Sequence, residues 1–155
     1  MKTKWLSAIR KRRQLLRGNA LVEFALGFTL VTTVLAGTWQ FGYAFFVYNR
    51  LQTGVRDGAR YAATAAYDSP NGQAFRTRVQ KMVVYGNPNA PSGATPLVPG
   101  LSTANVTVTE EKSGVMPERV TVHISNFQID AFFARYTLTT KPKCKFDYAG
   151  QLLTP

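Results

Sequence analysis

The sequence has few of the residue types from which catalytic and metal sites are built. It contains one cysteine, Cys144, and one histidine, His123, which lie 21 positions apart. A zinc site needs three or four ligands, so these two residues do not form a metal motif. A Walker-type Gly-Lys loop for phosphate binding is also absent. We therefore expect no enzymatic activity, no cofactor and no metal, and the single cysteine excludes an internal disulfide.

Acidic residues are absent from the first 22 positions, which instead carry a dense basic run. Seven of the 19 Lys and Arg residues precede Gly18, which leaves 12 basic and 8 acidic side chains in the rest of the chain. The net charge of +11 therefore comes largely from this run and does not indicate a nucleic-acid partner. A basic run before a hydrophobic segment keeps the N-terminus in the cytoplasm and directs the following part outward.

No charged side chain occurs in the 26 residues from Phe24 to Asn49. A helix needs only about 20 apolar residues to cross a hydrocarbon core, so this segment is long enough to span a membrane and contact lipid. Proline is also absent between Asn19 and Ser69, so one helix is predicted over residues 19–66. We expect its membrane span at about residues 24–48.

Glu23 is the acidic exception at the start of this apolar segment. A carboxylate in a membrane helix costs a few kcal/mol and is by default a functional candidate that has a partner. Cleavage after Gly18 would place Glu23 at the fifth position of the mature chain, near a new α-amino group at Asn19. The alternative is that Glu23 only sits at the third position of a helix, where the dipole favours a carboxylate.

Three runs of sequence resemble one known family: residues 17–26, 40–45 and 55–62. They are similar to TadE-like proteins, the minor pilins or pseudopilins of the Tad (Flp, type IVc) pilus system. The resemblance implies a prepilin leader, residues 1–18, that a prepilin peptidase removes between Gly18 and Asn19. It also implies assembly roles for Glu23 and Phe24, with other pilins, pseudopilins and the Tad assembly machinery as partners. The family's proline after the Glu-Phe pair is missing here, where the chain has Gly27-Phe28-Thr29.

Two other targeting signals fit this N-terminus less well. The run Arg12-Arg13-Gln14-Leu15-Leu16 is weakly similar to a twin-arginine export signal, and a secretory signal also begins with basic residues. The apolar run here is far longer than the 7–15 residues of an ordinary signal, and a small-x-small cleavage site is lacking. A conventional signal peptide is therefore the less favoured interpretation.

Aromatic residues are concentrated at the outer end of the span, from Trp39 to Tyr48. Because Trp and Tyr prefer the membrane–water interface, we expect the helix to leave the bilayer there, with core packing as the alternative for the phenylalanines. Residues 49–66 are amphipathic, with one apolar face: Leu51, Val55, Ala59, Ala62 and Ala66. Gly54 and Gly58 would let another helix or sheet approach closely.

The residues after Ala66 predict a small α+β domain. Ser69 and Pro70 favour a helix start, and Gly86 favours its end. The Pro- and Gly-rich residues 87–100 predict a loop, either a contact surface or a plain connector. Alternating patterns then predict three antiparallel strands, Val106–Thr109, Val120–Ile124 and Tyr136–Thr140. Residues 127–133 are predicted to be an apolar linker between the second and the third strand. Lys143 to Tyr148 is a fourth strand or a continuation of the third.

The predicted fold is α+β, a long N-terminal transmembrane and amphipathic helix packed on a small antiparallel sheet, as in type IV pilins. Residues 67–155 form the extracytoplasmic domain. Two functions remain open. The first is a minor pilin or pseudopilin in the bacterial inner membrane, with a single span and a periplasmic domain, that acts in Tad/Flp pilus biogenesis, adhesion and biofilm formation. The second is a permanently anchored periplasmic binding module.

Overall fold

The computed structural model describes residues 3–68, 71–91, 93–131, 134–150 and 152–153, with side chains within these ranges from residue 19 to residue 150. Two compact units are present, Met1–Phe41 and Gly42–Pro155. The element order is one long helix, a two-residue strand, a short second helix and then the remaining strands, which confirms the predicted α+β class.

Helix α1 covers Thr3–Thr64 and is the first element of the chain. Its apolar part contains threonines whose hydroxyls donate to the carbonyl four residues earlier, as Thr29 does to Ala25 at 2.8 Å. These polar groups are thereby satisfied inside the helix, as a lipid environment requires. The predicted end at Ala66 was two residues too late. The helix ends at Thr64, where the C-terminal segment provides a partner for one of its last carbonyls: the Ala149 N–H donates to the Ala63 oxygen at 2.8 Å.

The second half of α1 packs against helix α2, which covers Gln73–Tyr85. The predicted apolar face is confirmed for Leu51, Val55, Ala59 and Ala62, which are all buried, whereas Ala66 lies beyond the helix end and is half-buried. The prediction for the two glycines is also confirmed, because a Cβ atom on Gly54 would lie 2.9 Å from the Val83 carbonyl oxygen. The buried side chains of α2 complete this layer of the core: Phe75, Val79, Val83 and Val84.

The predicted start of α2 at Ser69-Pro70 was wrong, and these two residues lie outside the described ranges. Gly72 occupies the N-cap position in a left-handed conformation and has no side chain with which to cap the helix. The free N–H groups of the first turn are satisfied by Asp68, whose carboxylate accepts from Ala74 at 3.0 Å and from Phe75 at 2.6 Å. The capping residue therefore lies six and seven residues before the N–H groups that it caps, which is farther than the usual N-cap motif reaches.

The predicted end of α2 at Gly86 is confirmed. Gly86 adopts φ +71°, and its N–H donates to the Met82 oxygen at 2.9 Å. No helix or strand is present in the described residues of the predicted loop, 87–91 and 93–100. The loop is tied back to α2 through the Leu97 N–H, which donates to the Val84 oxygen at 2.7 Å.

The main sheet has three antiparallel strands in the order β2-β3-β6: β2 (Val106–Ser113), β3 (Met116–Ile124) and β6 (Lys143–Asp147). This confirms the predicted β2–β3 pair and the strand after Lys143. Pro117, predicted in the connection, instead lies inside β3 opposite Lys112. A register shift between Glu111 and Lys112 disrupts the ladder at that point, so the missing N–H of the proline is tolerated.

A separate two-stranded hairpin follows β3 and consists of β4 (Phe127–Ala131) and β5 (Ala134–Leu138). The predicted linker is therefore wrong over residues 127–131, while Phe132 and Phe133 lie outside the described ranges. The strand alternates, because Phe127, Ile129 and Ala131 are buried while the two residues between them are exposed. The predicted third strand occurs two residues earlier than expected and pairs with β4, not with the main sheet.

Two further segments complete the domain. The short strand β1 (Tyr67–Asp68) pairs in parallel with β7 (Leu152–Leu153). A 3₁₀ turn at Thr103–Asn105 leads into β2. One core contains side chains from α1, α2 and the sheet, with Leu51, Phe75 and Ile124 among its fully buried members. The amphipathic half of α1 therefore shares its core with the sheet, as predicted.

Candidate functional site

The predicted cleavage and assembly residues all lie on α1. Gly18 and Asn19 are inside the helix, and Glu23 follows Asn19 by about one turn, or ~6 Å along the axis. Asn19 and Glu23 are exposed. The Phe24 ring is 69 % exposed and stacks on Phe28, with 6.0 Å between the ring centroids. The carboxylate and the ring next to it are therefore both on the helix surface, where another molecule can contact them.

The apolar part of α1 leaves its large side chains uncovered. Its most apolar 18-residue window has no buried residue, and its exposed side chains include Leu21, Leu26, Leu30 and Leu35. Soluble monomers rarely expose a continuous apolar surface of this kind, which is typical of a membrane or protein interaction surface. Within the described residues, Asn19–Thr64 is the one helix long and apolar enough to cross a membrane.

The aromatic residues predicted at the membrane interface also face outward. Trp39 is 74 % exposed, and Phe41, Phe45 and Phe46 are exposed as well. The guanidinium of Arg50, the first charged side chain after Glu23, lies 5.2 Å from the centroid of the Phe46 ring. An aromatic group followed by a cation is the arrangement expected where a helix leaves a membrane.

The two predicted sheet residues with reactive side chains lie on β3 and β6. Cys144 is half-buried and pairs in register with Val122, while His123 pairs with Lys143. Burial, with a smaller effect of the Lys143 charge, lowers the pKa of His123. Among the described residues, no group of three or more His, Cys, Asp or Glu side chains could hold a metal ion.

Glu110 and Glu111 are neighbours inside β2, which continues to Ser113, so their two carboxylates point to opposite faces of the sheet. The side chain of Glu110 is 3 % exposed, accepts from the Tyr67 hydroxyl at 3.0 Å and pairs with Arg76 at 2.8 Å. The hydrogen bond to Glu110 raises the pKa of Arg76. This network joins β1, α2 and β2. In the sequence, the alternation along β2 was the one pattern that placed Glu110 and Glu111 on opposite faces.

On the outer face, Glu111 accepts from Lys145 at 2.8 Å and from Arg119 at 3.1 Å. These hydrogen bonds lower the pKa of Glu111. Arg119 also donates to Asp147 at 2.8 Å, so four charges neutralise one another across three strands. This face therefore presents a balanced set of charges.

Comparison with known families adds one finding to this geometry. The family model described as TadE-like protein matches residues 18–60. This segment is TadE-like. The TadE-like match contains Gly18, Asn19, Glu23 and Phe24, and it ends before the last turn of α1. No curated protein and no solved structure matches the chain.

The match over this segment is consistent with a TadE-like protein of the Tad pilus system. The single apolar helix near the N-terminus is consistent with a single-pass membrane anchor. The match confirms the resemblance over the helix, while the domain after residue 60 is described by its fold alone.

Proposed function

We propose that this chain is a minor pilin or pseudopilin, a structural subunit for biogenesis of the Tad/Flp pilus. The observation that supports it is the TadE-like helix, which carries Gly18, Asn19 and Glu23 before an exposed apolar surface. The same helix continues into the core of a folded domain. The subunit is stored in the membrane after leader removal and packs its apolar helix against other subunits. Through the pilus it contributes to surface adhesion and biofilm formation.

The proposed role of Glu23 is to set the position of an incoming subunit. Its carboxylate pairs with the α-ammonium group that cleavage creates at Asn19 of a neighbouring subunit. Both charges are unfavourable in lipid, so neutralising them together favours docking in one axial position. A buried pair only roughly offsets its desolvation, while an unpaired charge costs several kcal/mol, so the gain is mainly specificity.

The proposed orientation follows from the basic leader, which stays in the cytoplasm and places the domain in the periplasm. Protease added to cells with a permeabilised outer membrane should digest the domain and leave a membrane-protected fragment. A domain that is protected until the inner membrane is lysed would refute this orientation.

The alternative is a permanently anchored binding module, for which Glu23 has no task. Glu23→Val separates the two functions. In an assembly subunit, this variant inserts at least as well as the wild type but loses co-purification with other pilus components and impairs piliation. Glu23→Gln should be intermediate, because it keeps hydrogen bonding without the charge.

A matched control for this experiment is Thr29→Val on the same helix. Its hydroxyl is satisfied by the Ala25 carbonyl within the helix, so its loss should leave assembly unchanged. All variants are compared at equal membrane levels. If Glu23→Val is inserted, cleaved and fully functional in piliation, the assembly role of Glu23 is wrong and the anchor function is favoured.

A further inference from the structure

The outer edge of β4 is an open strand edge. Ala131 and Ala134 close the hairpin as a hydrogen-bonded pair. Hydrogen-bonded and non-hydrogen-bonded pairs alternate along two antiparallel strands, so Asp130 and Gln128 belong to non-hydrogen-bonded pairs with β5. The N–H and C=O groups of Gln128 and Asp130 therefore point away from β5. Among the described residues, no backbone partner for these two residues is present. An edge of this kind is a template for another strand.

A groove of about 440 Å³ runs beside this edge. Tyr43 and Val47 of α1 form an apolar wall, and Val98–Gly100 lies among the other lining residues. Among the described residues that line the groove, Asp130 is the one charged residue. An extended strand with basic residues on one side is therefore the occupant that matches the groove in shape and charge.

The chain itself presents such a strand at the edge of its main sheet. The Ile124 N–H donates to the Pro142 oxygen and the Tyr148 N–H donates to the Glu118 oxygen. The even-numbered residues of β6 therefore form the hydrogen-bonded pairs with β3, and the odd-numbered residues form the non-hydrogen-bonded pairs. The backbone groups of Lys143 and Lys145 therefore point outward from the sheet. Both lysine side chains are exposed. In the described part of the chain, Lys143 has no carboxylate partner.

The two open edges are complementary when they are placed antiparallel. With Asp130 opposite Lys143, Gln128 falls opposite Lys145, and each of these pairs can exchange two backbone hydrogen bonds. The polar side chains then share one face, while Ile129 and Cys144 meet on the other. Opposite charges directly across an antiparallel pair are stabilising.

We propose that β6 of one copy of this protein adds as a strand to the β4 edge of a second copy. Asp130 already pairs with Arg135 at 3.0 Å, but these side chains are 70 % and 79 % exposed, so this surface pair is easily exchanged for Lys143. The inference goes beyond the proposed function, because it concerns contacts between the folded domains and does not depend on leader cleavage.

The interface joins two different edges, so it is heterologous. Such a contact leaves one β4 edge and one β6 edge unused in every pair, and repetition produces a ring or an open row of subunits.

Disulfide cross-linking between two populations of full-length protein in detergent tests the proposed register. In a Cys144→Ser background, Asp130→Cys chains are mixed with Lys143→Cys chains under mild oxidation. The mixture should give disulfide dimers at least about tenfold more than either variant alone, because paired Cα atoms are about 5.5 Å apart. Gln128→Cys mixed with Lys145→Cys should also cross-link.

Thr137→Cys is the matched control for the acceptor strand. It lies on the exposed strand β5 of the same hairpin and should not cross-link to Lys143→Cys above the level of the single variants. Equal yields in the predicted pairs and in this control would overturn the proposal.

Charge exchange provides a second, independent measurement. Asp130→Lys should reduce association of detergent-solubilised full-length protein at least about threefold. Mixing Asp130→Lys chains with Lys143→Asp chains should restore pairing between the two variants, because the opposite charges face each other again. Unchanged association of Asp130→Lys, or no recovery in the mixture, would reject the interface. Neither result affects the proposed roles of Gly18 and Glu23, which are tested by leader cleavage and by Glu23→Val.

Discussion

Gly58 of α1 faces Val83 of α2 so closely that a Cβ atom at position 58 would overlap a methyl group of Val83. Valine has one strongly preferred side-chain rotamer in a helix, so Val83 cannot turn away from the added atom. We expect Gly58→Ala to destabilise the domain by about 1–3 kcal/mol, less the gain of about 1 kcal/mol in helix propensity. Denaturant unfolding in detergent, followed by near-UV circular dichroism, measures this change.

Gly42→Ala is the matched control for this substitution, because it makes the same change in the same helix. A Cβ atom on Gly42 would meet nothing within 4 Å. This variant should be neutral or slightly stabilising. Equal stability of the Gly58→Ala and Gly42→Ala proteins would show that the two helices do not depend on the contact at Gly58.

The cap supplied by Asp68 is the second feature to test. Its carboxylate accepts from the Ala74 and Phe75 N–H groups, so Asp68→Ala leaves the first turn of α2 without these acceptors. We expect a loss of about 1–2 kcal/mol in the free energy of unfolding. Asp68→Asn keeps a side-chain oxygen and should retain most of the stability. A wild-type unfolding curve for Asp68→Ala would contradict this description of the helix start.

The stability of the domain should depend on the protonation of His123. Its pKa in the folded state lies below the ordinary value of 6.5, so the unfolded chain binds the proton more readily. Stability should therefore fall as the pH drops through 6.5 toward the folded pKa, with a slope of at most about 1.4 kcal/mol per pH unit. His123→Gln should reduce this slope between pH 7 and pH 5.5. An unchanged slope in the variant would assign the pH dependence to other groups.

Leader cleavage predicts a defined mature N-terminus. In the native host, the intact mass should correspond to a chain that begins at Asn19, and Gly18→Leu should block processing because the peptidase site is then bulky. Mass spectrometry of protein recovered from membranes measures both. Full-length protein in a host that contains the peptidase would show that Gly18 is not the cleavage position.

The sequence predicted those parts of the fold whose signals are local. The apolar face of α1, the stop at Gly86 and the β2–β3 pair all follow from periodicity or from one residue type within a few positions. The start of α2 could not be predicted in this way, because Asp68 caps N–H groups six and seven residues later. Nor could Pro117 be placed in β3, because the register shift that tolerates it depends on the partner strand.

The hairpin of β4 and β5 was missed for a different reason. In the sequence, Phe132 and Phe133 interrupt the alternation that begins at Phe127, so the strand pattern extends over only five residues. For the candidate site, Gly18, Asn19, Glu23 and Phe24 follow from sequence spacing and family resemblance. The buried Glu110 network depends on three elements that meet only in the folded chain, and its residues are far apart in sequence.

The burial of α1 within the domain of residues 42–155 has a mechanical consequence. A pulling force applied along this part of the helix acts directly on the domain core. Leu51, Val55 and Ala59 are buried one turn after another, so such a force acts in shear on all three packing contacts at once. The hydrogen bond from Ala149 to Ala63 adds a further attachment at the end of the helix. A load of this kind is resisted by many contacts together, and no single one of them has to yield first.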